Sequence, residues 1–168
     1  MPQYHKSHKR YRKARFTPKP KSQPKPKSAG VLLLYKGDVL VVKERRKDKV
    51  ELNTPGGKGR SNEKTHETAW REFQEETQLF QGIPNPLAET TLLEADKYYA
   101  VYVWEVEEKP DITKFVPNAS QIGLEWVSYN KNPPKSRYIL QCCLRALRCA
   151  KEARLDYSDV LRGVITGN

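Results

Sequence analysis

Arg71, Glu72, Glu75 and Glu76 crowd into the short run "REFQEE". On a helix turning about 100° per residue, the three glutamates fall on one narrow face, related as i, i+3 and i+4. Like charges at that spacing repel by a few tenths of a kcal/mol per pair, so a purely structural helix gains nothing from them. A hard divalent cation reverses the sign of the effect, because oxygen ligands are what Mg²⁺ or Mn²⁺ prefers. Arg71 stands next to them and can pin one carboxylate in place. The alternative is a solvated acidic face. Such faces usually interleave Lys, and residues 71–79 contain none. The charges alone leave both readings open.

Just upstream lies Pro55-Gly56-Gly57-Lys58-Gly59. Glycines there permit close backbone approach and positive φ. The turn brings backbone groups beside the start of the predicted helix, whose N-terminus favours phosphate. Lys58 and Arg60 can add positive charge.

The elements that must position these groups are legible in outline. "GVLLLYKGDVLVVKE" (30–44) predicts two strands around a turn at Lys36-Gly37-Asp38. "VELN" predicts a short third strand, ended by Pro55-Gly56-Gly57, and residues 64–77 predict a helix docked through Ala69 and Phe73 and flanked by Trp70 and Thr77. "YYAVYVWEV" (98–106) is apolar on both faces, as in a strand covered on two sides. "GLEWVSY" (123–129) predicts another strand. After Pro133-Pro134, a second helix carries Ile139, Cys142, Cys143, Ala146, Leu147 and Ala150 as its apolar stripe. The order β-β-β-α-β-β-α implies an α/β architecture, one mixed sheet between two helices.

The chain has 168 residues and a net charge of +11. That length suffices for one well-buried domain. The charge is unevenly placed: residues 1–28 hold ten Lys or Arg and no acid, leaving 21 basic against 20 acidic residues in 29–168. Lysine alternating with Pro18, Pro20, Pro24 and Pro26 has nothing to bury and cannot form helix or sheet. The expected organisation is a disordered Lys/Arg/Pro-rich arm over 1–28 and a folded domain over 29–168. No apolar run reaches the length of a signal-peptide core or a membrane span, and the arm lacks the apolar face of a mitochondrial transit peptide. The expected location is intracellular, cytoplasmic or nuclear, with no membrane partner. Cys142, Cys143 and Cys149 share the second helix and read as reduced small hydrophobes, and His66 as an exposed side chain.

The spacing Gly57, five residues, Glu63, seven residues, Arg71-Glu72-Phe73-x-Glu75-Glu76, then Leu79 resembles the Nudix box, G-x5-E-x7-R-E-U-x-E-E-x-G-U with U a bulky aliphatic residue. The flanking elements are similar to the Nudix fold over roughly residues 29–155. The resemblance implies a Nudix α/β/α sandwich and a metal-dependent hydrolase acting on phosphorus-containing anhydrides. Position by position, it makes Glu72 and Glu76 ligands of Mg²⁺ or Mn²⁺, with the Gly57 carbonyl as a further donor. It makes Glu75 the general base or another ligand, Arg71 the residue that orients a carboxylate, and Glu63 a support of the loop and helix. Two positions depart from the box. Gln78 replaces the glycine that ends the helix, at a cost on the order of 1 kcal/mol, and Phe73 replaces an aliphatic residue. Many members also carry an acid in the loop before a strand like "LEWVS"; the loop here, "VPNASQIG", has none. Glu75 would then act alone, or an acid such as Glu105, Glu107 or Glu108 would assist.

The box does not choose among the family's substrates. Tyr4, Tyr11 and Phe16 interleave with the arm's cations, which suits RNA through phosphate neutralisation and base stacking. "KERRKDK" (43–49), through Lys43, Arg45 and Arg46, leaves the second strand towards the glycine turn and offers a place for further phosphates. Tyr98, Tyr99 and Tyr102 offer stacking surfaces or sheet packing. The leading expectation is hydrolysis of 5′-capped mRNA, with the arm binding RNA. Diphosphoinositol polyphosphate hydrolysis is the alternative, as is a small nucleotide (a deoxynucleoside triphosphate, ADP-ribose or a dinucleoside polyphosphate). Outside catalysis, the candidates are an RNA-binding module on an inactive Nudix fold and, for "HKRYRKAR", a nuclear localisation signal.

Overall fold

The computed structural model describes residues 27–96 and 98–152. The arm expected over 1–28 lies outside them, apart from Lys27 and Ser28, and Ser28 already belongs to the first strand.

Strands β1 (Ser28–Tyr35) and β2 (Asp38–Arg46) form the expected hairpin, with Lys36 and Gly37 both at positive φ in the turn. The two strands pair only over Leu34↔Val39 and Tyr35↔Asp38, then part. Beyond the turn β2 pairs with β3 (Lys49–Asn53) and with β7 (Gln121–Ser128). At its other end β1 takes up β4 (Gly56–Lys58), a short strand where the sequence predicts only a turn. β6 (Tyr99–Glu105) lies parallel to β1, and β5 (Thr91–Asp96), which the sequence reading missed, lies antiparallel to β6. One parallel pairing among antiparallel ones makes the sheet mixed, as expected.

Alternation along the central strands builds two cores, one per face. Leu32, Leu34, Val39, Val41, Val101 and Val103 face helix α2 (Tyr138–Glu152). Val31, Leu33, Leu40, Ala100 and Tyr102 face helix α1 (Thr65–Thr77). This is the α/β/α sandwich. Helix α1 docks through Ala69 and Phe73, both fully buried, with Thr68, Trp70 and Thr77 buried beside them. Trp70, Phe73, Phe80 and Trp104 form a ring cluster with centroids 5.0–6.4 Å apart. The bulk of Phe73 is thus accommodated by other aromatics.

The α2 stripe differs in phase from the one expected. Leu140, Cys143, Leu144, Ala146 and Leu147 are buried, while Ile139 and Cys142 are only partly covered and Cys149 is exposed. Counting Leu140 and Leu144 turns the core face by part of a residue step, and larger side chains win the buried centre.

Gln78 ends α1 in the left-handed conformation at φ 62°, the backbone a box glycine would adopt. Its side chain gives a reason for the exchange. Gln78 Nε2 donates to the Val116 carbonyl at 2.8 Å, and the Val116 N–H donates to Gln78 Oε1 at 2.9 Å. This paired amide contact ties the end of α1 to the loop between β6 and β7.

Candidate active site

A cleft of about 580 Å³ opens where β1 and β2 part. Its acids come from two directions: Glu72 and Glu76 from α1, Glu44 from β2. Gly56, Gly57 and Lys58 of β4 line it between them. Arg45, Arg46 and Arg137 supply positive charge around it, and Tyr99 and Tyr138 supply rings.

The glycine pair serves close approach rather than positive φ, because neither Gly56 nor Gly57 has positive φ. A Cβ on Gly57 would sit 2.6 Å from the Glu72 carboxyl, and one on Gly56 would collide with the Tyr99 hydroxyl and the Ala29 carbonyl. Any other residue would push β4 away from α1. The expected benefit of the helix N-terminus is not realised in this cleft. Thr65 and Thr68 border a neighbouring groove with Lys27, Arg60 and Glu63 instead.

Arg71 organises the α1 face. Its Nε and Nη2 donate to Glu63 at 2.7 and 3.0 Å, and its Nη1 donates to Glu72 at 2.8 Å and Glu75 at 3.2 Å. Nη2 also donates to the Lys58 carbonyl at 3.0 Å, which fastens β4 to the helix. Glu63 further accepts from Thr68 Oγ1 at 2.7 Å and the Arg60 N–H at 3.1 Å. The Arg71 guanidinium, aided by those donors, holds the Glu63 carboxyl down at about 2. Glu63 thus supports loop and helix through Arg71.

Glu76 is the opposite case. Burial, reinforced by repulsion from Glu44, Glu72 and Glu75, pushes its carboxyl up to about 8, against one hydrogen bond from the Gly56 N–H at 3.1 Å. A carboxyl with too little positive charge near it marks a place where a cation is favoured.

The expected three-carboxylate cradle is only partly assembled. Glu75 is 52% exposed, held by Arg71 and 4.0 Å from Arg60, and does not line the cleft. Among the described residues, no group of three or more acid, His or Cys side chains stands ready to hold a metal. The physical reason is Arg71, which draws Glu72 and Glu75 to itself. Glu72, Glu76 and the backbone at Gly57 still form an all-oxygen donor set of the hardness Mg²⁺ or Mn²⁺ takes.

The remaining candidates separate. Arg45, Arg46 and Lys58 line the cleft. Lys43 does not; it pairs with Glu125 at 3.6 Å. Tyr99 is in the cleft wall, Tyr102 is core, and Tyr98 is largely exposed. His66 is half-buried, contrary to expectation, because Asn85 Nδ2 reaches its ring at 3.0 Å and its carbonyl at 3.3 Å. Glu105 pairs with Leu34, at the far end of β1 from Gly30↔Gly56. Neither it nor Glu107 or Glu108 beyond it lines the cleft; the acid that does so from outside the box is Glu44, only 8% exposed. Sequence reasoning missed Glu44 because it sits inside "KERRKDK", read as basic. It missed Arg137 because nothing local marks it.

The NUDIX domain family model matches residues 24–143. Solved structures agree in fold. A Nudix hydrolase from M. smegmatis, RenU, shares 19% identity at TM-score 0.56, covering 77% of this chain and 87% of its own. An Ap4A hydrolase from C. elegans shares 16% at TM-score 0.55, covering 77% and 100%. A MutT protein from Methanosarcina mazei Go1 shares 24% at TM-score 0.53, covering 77% and 99%. No curated protein sequence matches the chain. With well over half of its length matched by the domain model and the box folded as β4, loop and α1, this chain belongs to the Nudix hydrolases.

Proposed function

We propose that this hydrolase cleaves the pyrophosphate bond of a nucleoside diphosphate linked to another group, with 5′-capped RNA as the leading substrate. The observation that carries the reaction is the convergence of Glu72, Glu76 and Gly57 inside a cleft with Arg45, Arg46, Lys58 and Arg137 around it. Acid in the interior and base around it suit a polyanion delivered with its counter-cation.

Glu72, Glu76 and the Gly57 carbonyl would hold Mg²⁺ or Mn²⁺. Such an ion, when bound, neutralises phosphoryl oxygens and makes water a better nucleophile. Lys58 and Arg45 bind phosphate oxygens and orient the bridge, and Arg46 adds positive charge beside them. Glu75, turning from Arg71 towards the cleft, takes the proton of the attacking water as the new P–O bond forms and the bridging P–O bond breaks. Arg71 keeps Glu72 and Glu75 in place between turnovers.

Capped RNA leads because the ten cations of residues 1–28, with aromatic residues among them, suit a nucleic-acid strand. The cationic surround of the cleft favours a second reading, a diphosphoinositol polyphosphate or a small nucleotide. An inactive RNA-binding module is disfavoured, since without catalysis the mutually repulsive Glu72, Glu75 and Glu76 have no use.

A product assay in Mg²⁺ and in Mn²⁺ tests the reading, with capped RNA, free cap dinucleotide, ADP-ribose, a deoxynucleoside triphosphate and a diphosphoinositol phosphate as substrates. Release of a methylated nucleoside diphosphate from capped RNA, with little from the free cap, is expected. Turnover confined to a small molecule would move the substrate to the second reading. Glu75→Gln should abolish turnover and leave RNA binding intact; persisting turnover would remove Glu75 as base.

A further inference from the structure

Two arginines meet the carboxylates of this site in opposite states of satisfaction. Arg71 makes four carboxylate contacts at 2.7–3.2 Å and one to a carbonyl at 3.0 Å. The Arg137 side chain has only two partners among the described residues, both long: Nη1 is 3.5 Å from Glu44 Oε2, and Nε is 3.9 Å from Glu51 Oε2. A guanidinium carries five N–H donors in a rigid fork, and its bonds to carboxylates close to about 2.7–2.9 Å. The Arg137 side chain is only 29% exposed.

The position of Arg137 is not loose. Its N–H donates to the Leu52 carbonyl at 2.8 Å, and its own carbonyl accepts from the Gln141 N–H at 3.0 Å. The residue is fixed at the entry to α2 while its fork, lining the cleft, stays under-used. Arg46 repeats the pattern, with Nε 3.8 Å from the same Glu44 oxygen and a side chain 59% exposed. One carboxylate therefore loosely holds two guanidinia, neither engaged at full strength, in the cleft that Glu72 and Glu76 enter from α1.

We infer that Arg137 and Arg46 form a phosphate subsite of this cleft, filled by a phosphate beyond the pyrophosphate being cleaved. The substrate class is then one with three or more phosphate groups, rather than a lone diphosphate bridge. A phosphate offers tetrahedrally arranged oxygens, enough to take both forks at once. Glu44 is a positioning residue, keeping the two guanidinia in the cleft before substrate arrives. The location of the subsite relative to the bond cleaved rests on the reaction proposed above; its existence does not. The competing account is a purely structural tie among β2, β3 and α2.

The test is a titration of the full chain with inorganic tripolyphosphate and, separately, pyrophosphate, reading the arginine Nε–Hε signals by NMR. The Arg137 and Arg46 signals should shift saturably with tripolyphosphate, at least tenfold more tightly than with pyrophosphate. In Arg46→Gln, an exposed change that leaves folding intact, the Arg137 signal should still shift but saturate several-fold later. In Arg137→Gln the Arg46 signal should need at least tenfold more tripolyphosphate, and Arg137→Lys should recover only part of that loss. Unmoved Arg137 and Arg46 signals, or equal affinity for both probes, would overturn the subsite. Failure of the pyrophosphohydrolase reading would show separately, as absence of turnover across the substrate panel with this titration intact.

Discussion

Glu63 and Glu76 are glutamates of one box driven in opposite directions by their surroundings. Glu63 is lowered from the ordinary 4.5 to about 2 by Arg71 and neighbouring donors, so the unfolded chain takes up a proton first as pH falls. Its contribution to stability is present above pH 4.5 and disappears between 4.5 and about 2. Glu63→Gln should therefore shallow that part of an acid-unfolding curve, and an unchanged curve would show that Arg71 does not need it. Glu76 is raised from 4.5 to about 8, so the folded protein keeps a proton that the unfolded chain releases. Stability due to this group is full below 4.5 and drains away as pH rises towards 8. Glu76→Gln should raise the melting temperature of the metal-free protein at pH 8, by a free energy on the order of 1 kcal/mol. The same change should abolish the stabilisation that saturating Mg²⁺ gives the wild type, about 2.7 kcal/mol at a hundredfold excess over Kd. A variant that melts lower without metal, or that keeps its Mg²⁺ response, would contradict the assignment.

Gln78 shows how an element boundary can be rebuilt. Judged on the helix alone, Gln78→Gly relieves a left-handed non-glycine residue and stabilises by about 1 kcal/mol. Judged with its contacts, it removes two side-chain hydrogen bonds to Val116, each worth about 1 kcal/mol. The second effect outweighs the first, so the restored glycine should lower the melting temperature slightly. It should also speed proteolysis within residues 107–120, the loop that Gln78 anchors. A rise in stability with no change in proteolysis would reduce the contact to decoration. Through the Ser120 carbonyl, which accepts the Arg45 N–H at 2.8 Å, that loop also meets the strand carrying the cationic side of the cleft.

For the whole molecule, the question is whether the basic arm and the catalytic domain act together. Because Lys27 and Ser28 belong to the fold, the arm can be removed as residues 1–26 without cutting β1. That deletion should weaken hydrolysis of capped RNA at least tenfold more than hydrolysis of a free dinucleotide, and should flatten the salt dependence of the former. Equal effects on both substrates would detach the arm from substrate choice. No helix among the described residues is long and apolar enough to cross a membrane.

Local spacing was enough to place α1, the β1–β2 hairpin, the strands over 98–106 and 123–129, and the box itself. Each carries its apolar pattern within a few residues, even where, as in β6 and β7, its hydrogen-bond partners lie far off in β1 and β2. β5 escaped because "TLLEAD" is short, with no sustained alternation, and is a strand only because β6 offers it an edge. β4 escaped because two glycines read as a turn until β1 pairs with them. The cleft's other side was beyond reach for a related reason. Glu44 and Arg137 are 93 residues apart in the chain, and only the parting of β1 from β2, with α2 packed across the sheet, brings them together. The sequence by itself determined that Arg71, Glu72, Glu75 and Glu76 crowd together on α1, because helical periodicity fixes which residues are neighbours along a helix. Only the tertiary structure decided which carboxylate is buried, which is held by Arg71 and which arginine is left wanting a partner, because burial and pairing depend on neighbours that the chain supplies from far away.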